Sequence, residues 1–560
     1  MNVGASRRWR FLAITISAVV LAPVVAGLSG ILLPALNYFP ALGADELGFS
    51  VFGKFLGEPG IWRSIGVSAF CALAATALSV GLTAAILAAA FGTPALRIAE
   101  RLLAPILSVP HAAAALGFVF LFAPSGFVLR ALSPWATGLD APPDLVILND
   151  PVGWSLVAAL TMKETPFLFL MALAALGQVD AAKRASVART LGYGRILGFI
   201  HAVWPLIYRQ LKLPILAVLA FAASVVDMAL ILGPTRPATL SVRILRWLQS
   251  PDLDGWLLGS AGALAMVLLV AALIVVWLLA ERAAGAAMAL WRFSGWRGKG
   301  DGLVRWFALS VALLGVGIGF VGFGGLVVQS VAGYWPFPDT LPKTLSTAGW
   351  AAQLPVALPV LAQTIVIALG ATFISLPLAV ALLEAAQRGV RLPLLIYAPL
   401  VTPQVAFLFG LSVFAVSLGV QGGMLSVTLS HVVFTLPYAL IALSGPWSAL
   451  DPRYEMVAAS IGAGPWRRLL RVRLALMARP LAVAAALCVA VSVGLYLPTQ
   501  MIGAGRVATV TTEAVAAASA GDRRLIGIFA SLQLLLPFVA FALARGGPAL
   551  ATGRWGAVPR

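Results

Sequence analysis

The chain has 560 residues, of which 61% are hydrophobic and only 10% charged, and its net charge is +18. Soluble globular domains carry about 25% charged residues, so the composition excludes one. An excess of Lys and Arg suits nucleic acid in a soluble protein, but in a membrane protein the same excess collects on the cytoplasmic side, and its distribution decides between the two.

Apolar runs of roughly 20 residues or more, each long enough as a helix to cross a ~30 Å hydrocarbon layer, predict twelve spans. They lie over 11–36, 64–90, 102–123, 152–176, 213–234, 257–280, 306–330, 359–383, 393–418, 425–448, 480–502 and 525–544. Lipid offers the backbone no hydrogen-bond partners, so such runs are helices. The first follows a basic start (Arg7, Arg8, Arg10) but exceeds the apolar core of about 7 to 15 residues of a signal peptide, and reads as a retained helix. With the N-terminus inside, 27 of the 38 Lys and Arg fall on the cytoplasmic side, 10 outside and one, Lys163, within a span. Acidic residues run the other way, 7 inside and 11 outside. This places both termini in the cytoplasm, and the basic residues sit in separate short loops, which excludes nucleic-acid binding.

The chain repeats itself. Gly233, Arg236, Ala238 and Thr239 recur as Gly503, Arg506, Ala508 and Thr509, an offset of 270, which also relates Gly192 to Gly462. Six spans separate the copies, so the halves have the same topology and form parallel repeats. The expected organisation is a first half over 1–281, a Trp- and Arg-bearing cytoplasmic linker over 282–305 and a second half over 306–560.

Two cytoplasmic loops stand out for length, basicity and helical periodicity, 178–212 and 448–479, each between the fourth and fifth span of its half. In the first, Ala188 and Gly192 lead to Trp204 and Pro205; in the second, Ala458 and Gly462 lead to Val472 and Leu474. This pattern resembles the coupling loop of ABC importer permeases: Glu-Ala-Ala, three residues, Gly, nine residues, then Ile-x-Leu-Pro. The sequence departs from it where the motif's Glu falls on Ser186 and Met456, and where its final Pro is Pro205 in the first half but Ala475 in the second. The resemblance implies an all-α polytopic protein of twelve transmembrane helices with the type I ABC importer permease fold. It also implies coupling through Ser186, Ala188, Gly192, Trp204, Pro205, Met456, Ala458, Gly462, Val472 and Leu474 to two copies of an ATPase subunit, and substrate delivery by a periplasmic binding protein. The fused form and the segment around Gly503 look like the thiamine and iron uptake branch. No phosphate-cradling G-x-x-x-x-G-K-[ST] loop occurs, and GWRGKG at Gly295 has the wrong spacing; ATP and Mg²⁺ are expected on the partner chain, with no cofactor and no catalysis here.

Lys163, Glu164 and Asp227 fall inside spans, where each charge costs at least about 2.5 kcal/mol and needs a partner or water. Lys163 with Asp227 is the expected pair, because Lys163 and Glu164 point apart on one helix, and all three are candidates for the pathway. His111, His201 and His431 have no metal-ligand spacing and read as structural; no metal site is expected, and Cys71 and Cys488, each in an apolar run, suit small core positions rather than a disulfide. Arg236, Arg243, Arg506 and Arg523 lie in the outer segments after the fifth span of each half, against the positive-inside trend, where the resemblance implies contact with the binding protein. The competing reading is a twelve-helix secondary transporter driven by an ion gradient, which has parallel halves but no ATPase.

Overall fold

A computed structural model of the chain describes residues 3–40, 43–298, 300–419 and 422–552; the outermost residues of the two expected halves lie outside it. In the first half, besides the short helices Leu32–Ala35 and Ser50–Gly57, the helices are α1 (Val3–Gly30), α2 (Ile61–Ala90), α3 (Pro94–Ser108), α4 (His111–Phe122), α5 (Phe127–Leu132), α6 (Trp154–Leu176), α7 (Ala181–Thr190), α8 (Arg195–Ala202), α9 (Trp204–Ser224), α10 (Asp227–Leu232), α11 (Leu240–Leu248) and α12 (Leu253–Phe293). The second half continues with α13 (Gly302–Val331), α14 (Ala348–Gln387), α15 (Ala398–Val401), α16 (Gln404–Ser417), α17 (Met424–Ser448), α18 (Arg453–Ser460), α19 (Pro465–Arg468), α20 (Ala478–Gly494), α21 (Leu497–Gly503), α22 (Val510–Ala520) and α23 (Arg523–Thr552). Ten helices are long and apolar enough to cross a membrane; two bent pairs, at 95° and 76°, bring the described spans to 12 when each counts as one. The protein is an all-α polytopic membrane protein.

Helix follows from composition here: each apolar run must pair its own N–H and C=O groups. Hydroxyls inside the spans turn back on the same helix, as Thr161 to the Val157 carbonyl (2.8 Å) and Thr364 to that of Val360 (2.7 Å). At the start of α6, Asp150 accepts from the backbone N–H of Gly153 (2.7 Å), Trp154 (2.8 Å) and Ser155 (2.9 Å). These are donors that a helix end leaves without partners. Burial alone would raise the Asp150 pKa, but these bonds and that from the Ser155 hydroxyl outweigh it and hold the carboxyl below its ordinary value.

The halves exchange their first helices. Helix α1 lies on α16 of the second half, and α13 lies on α4 of the first. Both crossings close on glycine: a Cβ at Gly27 would run into the Phe407 carbonyl, and one at Gly322 would stand 3.0 Å from that of Gly117. Small residues let helix backbones approach closely where lipid provides no hydrophobic drive. One buried cluster accordingly runs through both halves, from Val24 through Phe169 and Phe407 to Phe529. Beside the outer loops, the buried Arg130 of α5 donates to the carbonyls of Ser125 (2.8 Å), Pro336 (2.7 Å) and Asp339 (2.9 Å), tying the third span to the segment after α13. Of residues 282–305, the chain stays helical to Phe293 and again from Gly302.

Candidate functional site

Four spans are interrupted: α3/α4 at Val109–Pro110, α9/α10 at Val225–Val226, α15/α16 at Thr402–Pro403 and α20/α21 at Leu495–Tyr496. Proline accounts for the first and third breaks, since it lacks an N–H and crowds the preceding turn. Residues flanking all four breaks, Pro110, Val226, Gln404 and Tyr496 among them, line one cavity of about 160 Å³ between the halves. Interrupted helices leave backbone groups unpaired, and irregular backbone at membrane depth is tolerated where it borders such a cavity.

The carboxyl, lysine and histidine side chains of the cavity come from the first half. Lys163, Glu164 and Asp227, separate in sequence, line it together with His111. The Lys163–Asp227 pair expected from sequence is not formed: Lys163 Nζ donates to the carbonyls of Ile106 (3.2 Å) and Leu107 (2.9 Å). The break after α3 leaves the Leu107 carbonyl without a backbone donor among the described residues, while that of Ile106 also accepts from Val109 N (3.3 Å), and the negative end of a helix is a natural seat for an ammonium. Glu164 instead meets His111, with Oε1 and Nε2 3.1 Å apart. Asp227, buried at the first position of α10, has no Lys, Arg or His nitrogen within ion-pair distance among the described residues. Facing these groups, the second half supplies Gln404, Phe434, Tyr438, Tyr496 and Leu497. The cavity is symmetric in its helix breaks and asymmetric in its chemistry.

His111, read as structural from sequence, is thus a cavity residue. His431 does fit that reading: it is 1% exposed, with Nδ1 2.8 Å from the Ser492 hydroxyl and Nε2 3.1 Å from that of Thr499, pinning α17 across the α20/α21 break. His201 stacks edge-on against Tyr193 and Trp291. Its burial, then the nearby Arg292, hold it below the ordinary histidine value.

The two loops flagged by sequence fold alike. Helix α7 ends at Gly192 with φ +84° and α18 at Gly462 with φ +81°, a backbone region open to glycine. Tyr193 N donates to Ala188 O (3.1 Å) and Ala463 N to Ala458 O (3.0 Å), so the two alanines occupy equivalent positions. Ala188 and Ala458 are buried, whereas Ser186, Val187, Leu191, Met456, Val457 and Ile461 are exposed. Trp204 and Pro205 begin α9, and Val472 and Leu474 lie half-buried in the irregular helix leading to α20. Each loop therefore presents apolar side chains away from the bundle. A second element was not legible in the motif: buried Arg473 pairs with Glu455 of α18 and with Glu384 at the end of α14, and Arg388 joins Glu384 (Nε 3.0 Å) while lying over Trp9 of α1.

In the opposite loops, Arg236 and Arg243 line a second cavity of about 390 Å³ with Arg246 and Trp247. Arg243 is bound to Glu58 (2.8 Å) and the Pro59 carbonyl (2.8 Å). Arg523 reaches the Ser125 hydroxyl (2.6 Å), and Arg506 is exposed.

A bundle of interrupted apolar helices around a largely apolar cavity that carries Lys163, Glu164, Asp227 and His111, with two matching amphipathic loops at one face, defines a membrane transport subunit. Over 441 residues, 78% of this chain and 78% of the relative, it is 31% identical to the inner membrane ABC transporter permease protein YnjC of Escherichia coli (strain K12). The chain belongs to the ABC transporter permeases. No family model matches it. It is thus a multi-pass inner-membrane permease subunit that works with an ATPase partner.

Proposed function

We propose that this permease serves an importer, with two copies of the ATPase subunit docked on α7–α8 and α18–α19, and with both termini in the cytoplasm. The observation that carries this reading is the matched pair of loops, each a short helix closed by a positive-φ glycine and exposing Val187 and Leu191, or Met456, Val457 and Ile461. ATP and Mg²⁺ belong to the partner, and this chain performs no catalysis and needs no cofactor of its own. A periplasmic binding protein meets the opposite face, where Arg236, Arg243, Arg506 and Arg523 suit an acidic rim.

The sequence resemblance points to thiamine or a related compound, or ferric iron, as cargo. The cavity favours an organic cation. Among the described residues Asp227 has no Lys, Arg or His nitrogen within ion-pair distance, Glu164 pairs with His111, and Phe221, Tyr438 and Tyr496 supply aromatic rings. For ferric iron the donor set is poor, since among the described residues no three His, Cys, Asp or Glu side chains gather closely enough to hold a metal ion.

Uptake into proteoliposomes containing the permease, its ATPase and its binding protein tests this reading. ATP-driven accumulation of labelled thiamine, reduced by excess of an aromatic monocation such as 1-methylnicotinamide more than by nicotinamide or nicotinate, is the expected result. Accumulation that follows an imposed ion gradient without ATP would overturn the importer assignment; preference for the anion would overturn the cation assignment alone.

A further inference from the structure

The two docking loops are alike in fold but are held by different devices. In the first, Gly194 and Arg195 open α8, and a glycine in the capping position has no side chain to offer the free N–H groups of the first turn. The segment joining the two halves fills that role. The Arg297 carbonyl accepts from Gly194 N (2.7 Å), and Asp301 Oδ2 accepts from Ile196 N (2.5 Å), 105 residues away in sequence. The Arg297 guanidinium lies 5.6 Å from the centre of the Tyr193 ring, and Trp291 meets His201 at 5.6 Å. Asp301 thus places a carboxylate at the positive end of α8. The fit is close: a Cβ at Gly194 would stand 2.9 Å from the same Asp301 oxygen.

At the corresponding turn of the second loop, nothing among the described residues lies within 4 Å of a Cβ built at Gly462 or Gly464, and α19 starts at Pro465, which has no N–H to satisfy. That loop is fixed from within its own half, through Glu455, Arg473 and Glu384. The sequence shows why the devices differ: Val203, 270 residues before Arg473, and Ala185, 270 before Glu455, carry no charge.

We propose that Asp301 is the positioning residue of the first ATPase-docking loop, supplied by the connection between the halves and standing in for the ion network that positions the second. The proposal rests on the reading of α7–α8 and α18–α19 as docking elements. Its consequence is unequal coupling: movement of α8 is tied to the α12–α13 connection, movement of α18 to α14.

Cysteine crosslinking in the full permease–ATPase complex tests it, with single reporters at the exposed positions Ser186→Cys and Met456→Cys joined to the ATPase by a short bifunctional reagent. Asp301→Ala should lower crosslinking at 186 about fivefold, leave 456 within twofold of its starting value, and lower transport per ATP hydrolysed. Asp301→Asn, which keeps an acceptor oxygen, should restore most of the yield at 186. Equal loss at both reporters, or no loss at 186, overturns the proposal. If Asp301→Ala does not accumulate in the membrane, Asp301→Ser gives the same comparison with a shorter acceptor. Absence of crosslinks at both reporters with Asp301 intact would instead refute the docking reading beneath it.

Discussion

Arg473→Leu removes the centre of the ion network beneath the second loop. Arg473 and Glu384 have side-chain exposures of 8% and 6%, and Glu455 has 25%. Taking one partner from a buried ion pair costs about 3–5 kcal/mol, because the remaining charge keeps its desolvation penalty. Two features set the expectation at the lower end of that range: Arg388 still holds Glu384, and Glu455 can turn to water. The loss should therefore be about 3 kcal/mol, including the contact of the guanidinium with Trp447, 5.3 Å from its ring centre. Replacing both partners removes the stranded charge, so Arg473→Leu/Glu384→Leu should be less destabilised than the sum of the single changes by about 1–3 kcal/mol. Equilibrium unfolding in mixed micelles of increasing SDS fraction measures all three variants. A cost below about 1 kcal/mol for Arg473→Leu, or strict additivity in the double variant, would refute the reasoning.

Asp227→Asn should retain assembly with the ATPase yet reduce uptake of a cationic solute at least tenfold in the proteoliposome assay, with Glu164→Gln weaker in the same direction; unchanged uptake would remove both from the pathway. Gly27→Leu forces a side chain into the Phe407 carbonyl and should cost about 3 kcal/mol or more, read in the SDS titration, whereas Gly66→Leu, with open space at its Cβ, should cost less than about 1 kcal/mol. Asp150→Ala removes the cap of α6 and should cost about 1–2 kcal/mol at pH 7. Because the folded-state pKa of Asp150 lies below its unfolded value of about 3.9, that difference is present above pH ~4 and shrinks as the pH falls through the folded value; a pH-independent difference would show that the carboxylate charge is not involved.

The spans were legible because the rule behind them is local: an apolar run in lipid has no alternative to helix. Pro110 and Pro403 made two of the four interruptions readable in principle. The break at Val225–Val226 carries neither proline nor glycine, so the expected span over 213–234 ran straight through it; at Leu495–Tyr496, Gly494 ends α20 and Pro498 stands in the first turn of α21, signals that the expected span over 480–502 passed over. Pairing inside the membrane failed for a related reason. Lys163 was matched to Asp227 as though the partner had to be a side chain, but the α3 break turns two carbonyls toward it, those of Ile106 and Leu107, that sequence periodicity does not reveal. The glycines at 192 and 462 were readable because their spacing repeats; the devices that hold them were not, since Asp301 meets Ile196 and Arg473 meets Glu384 across 105 and 89 residues.

Affinity purification of the tagged chain from its native membranes in mild detergent tests the central claim most directly. The account predicts an ABC ATPase in a 2:1 ratio to the permease, lost when residues 181–202 and 453–468 are replaced by flexible linkers while the permease still reaches the membrane. A chain that purifies without an ATPase and still transports solute in an ion gradient would contradict it.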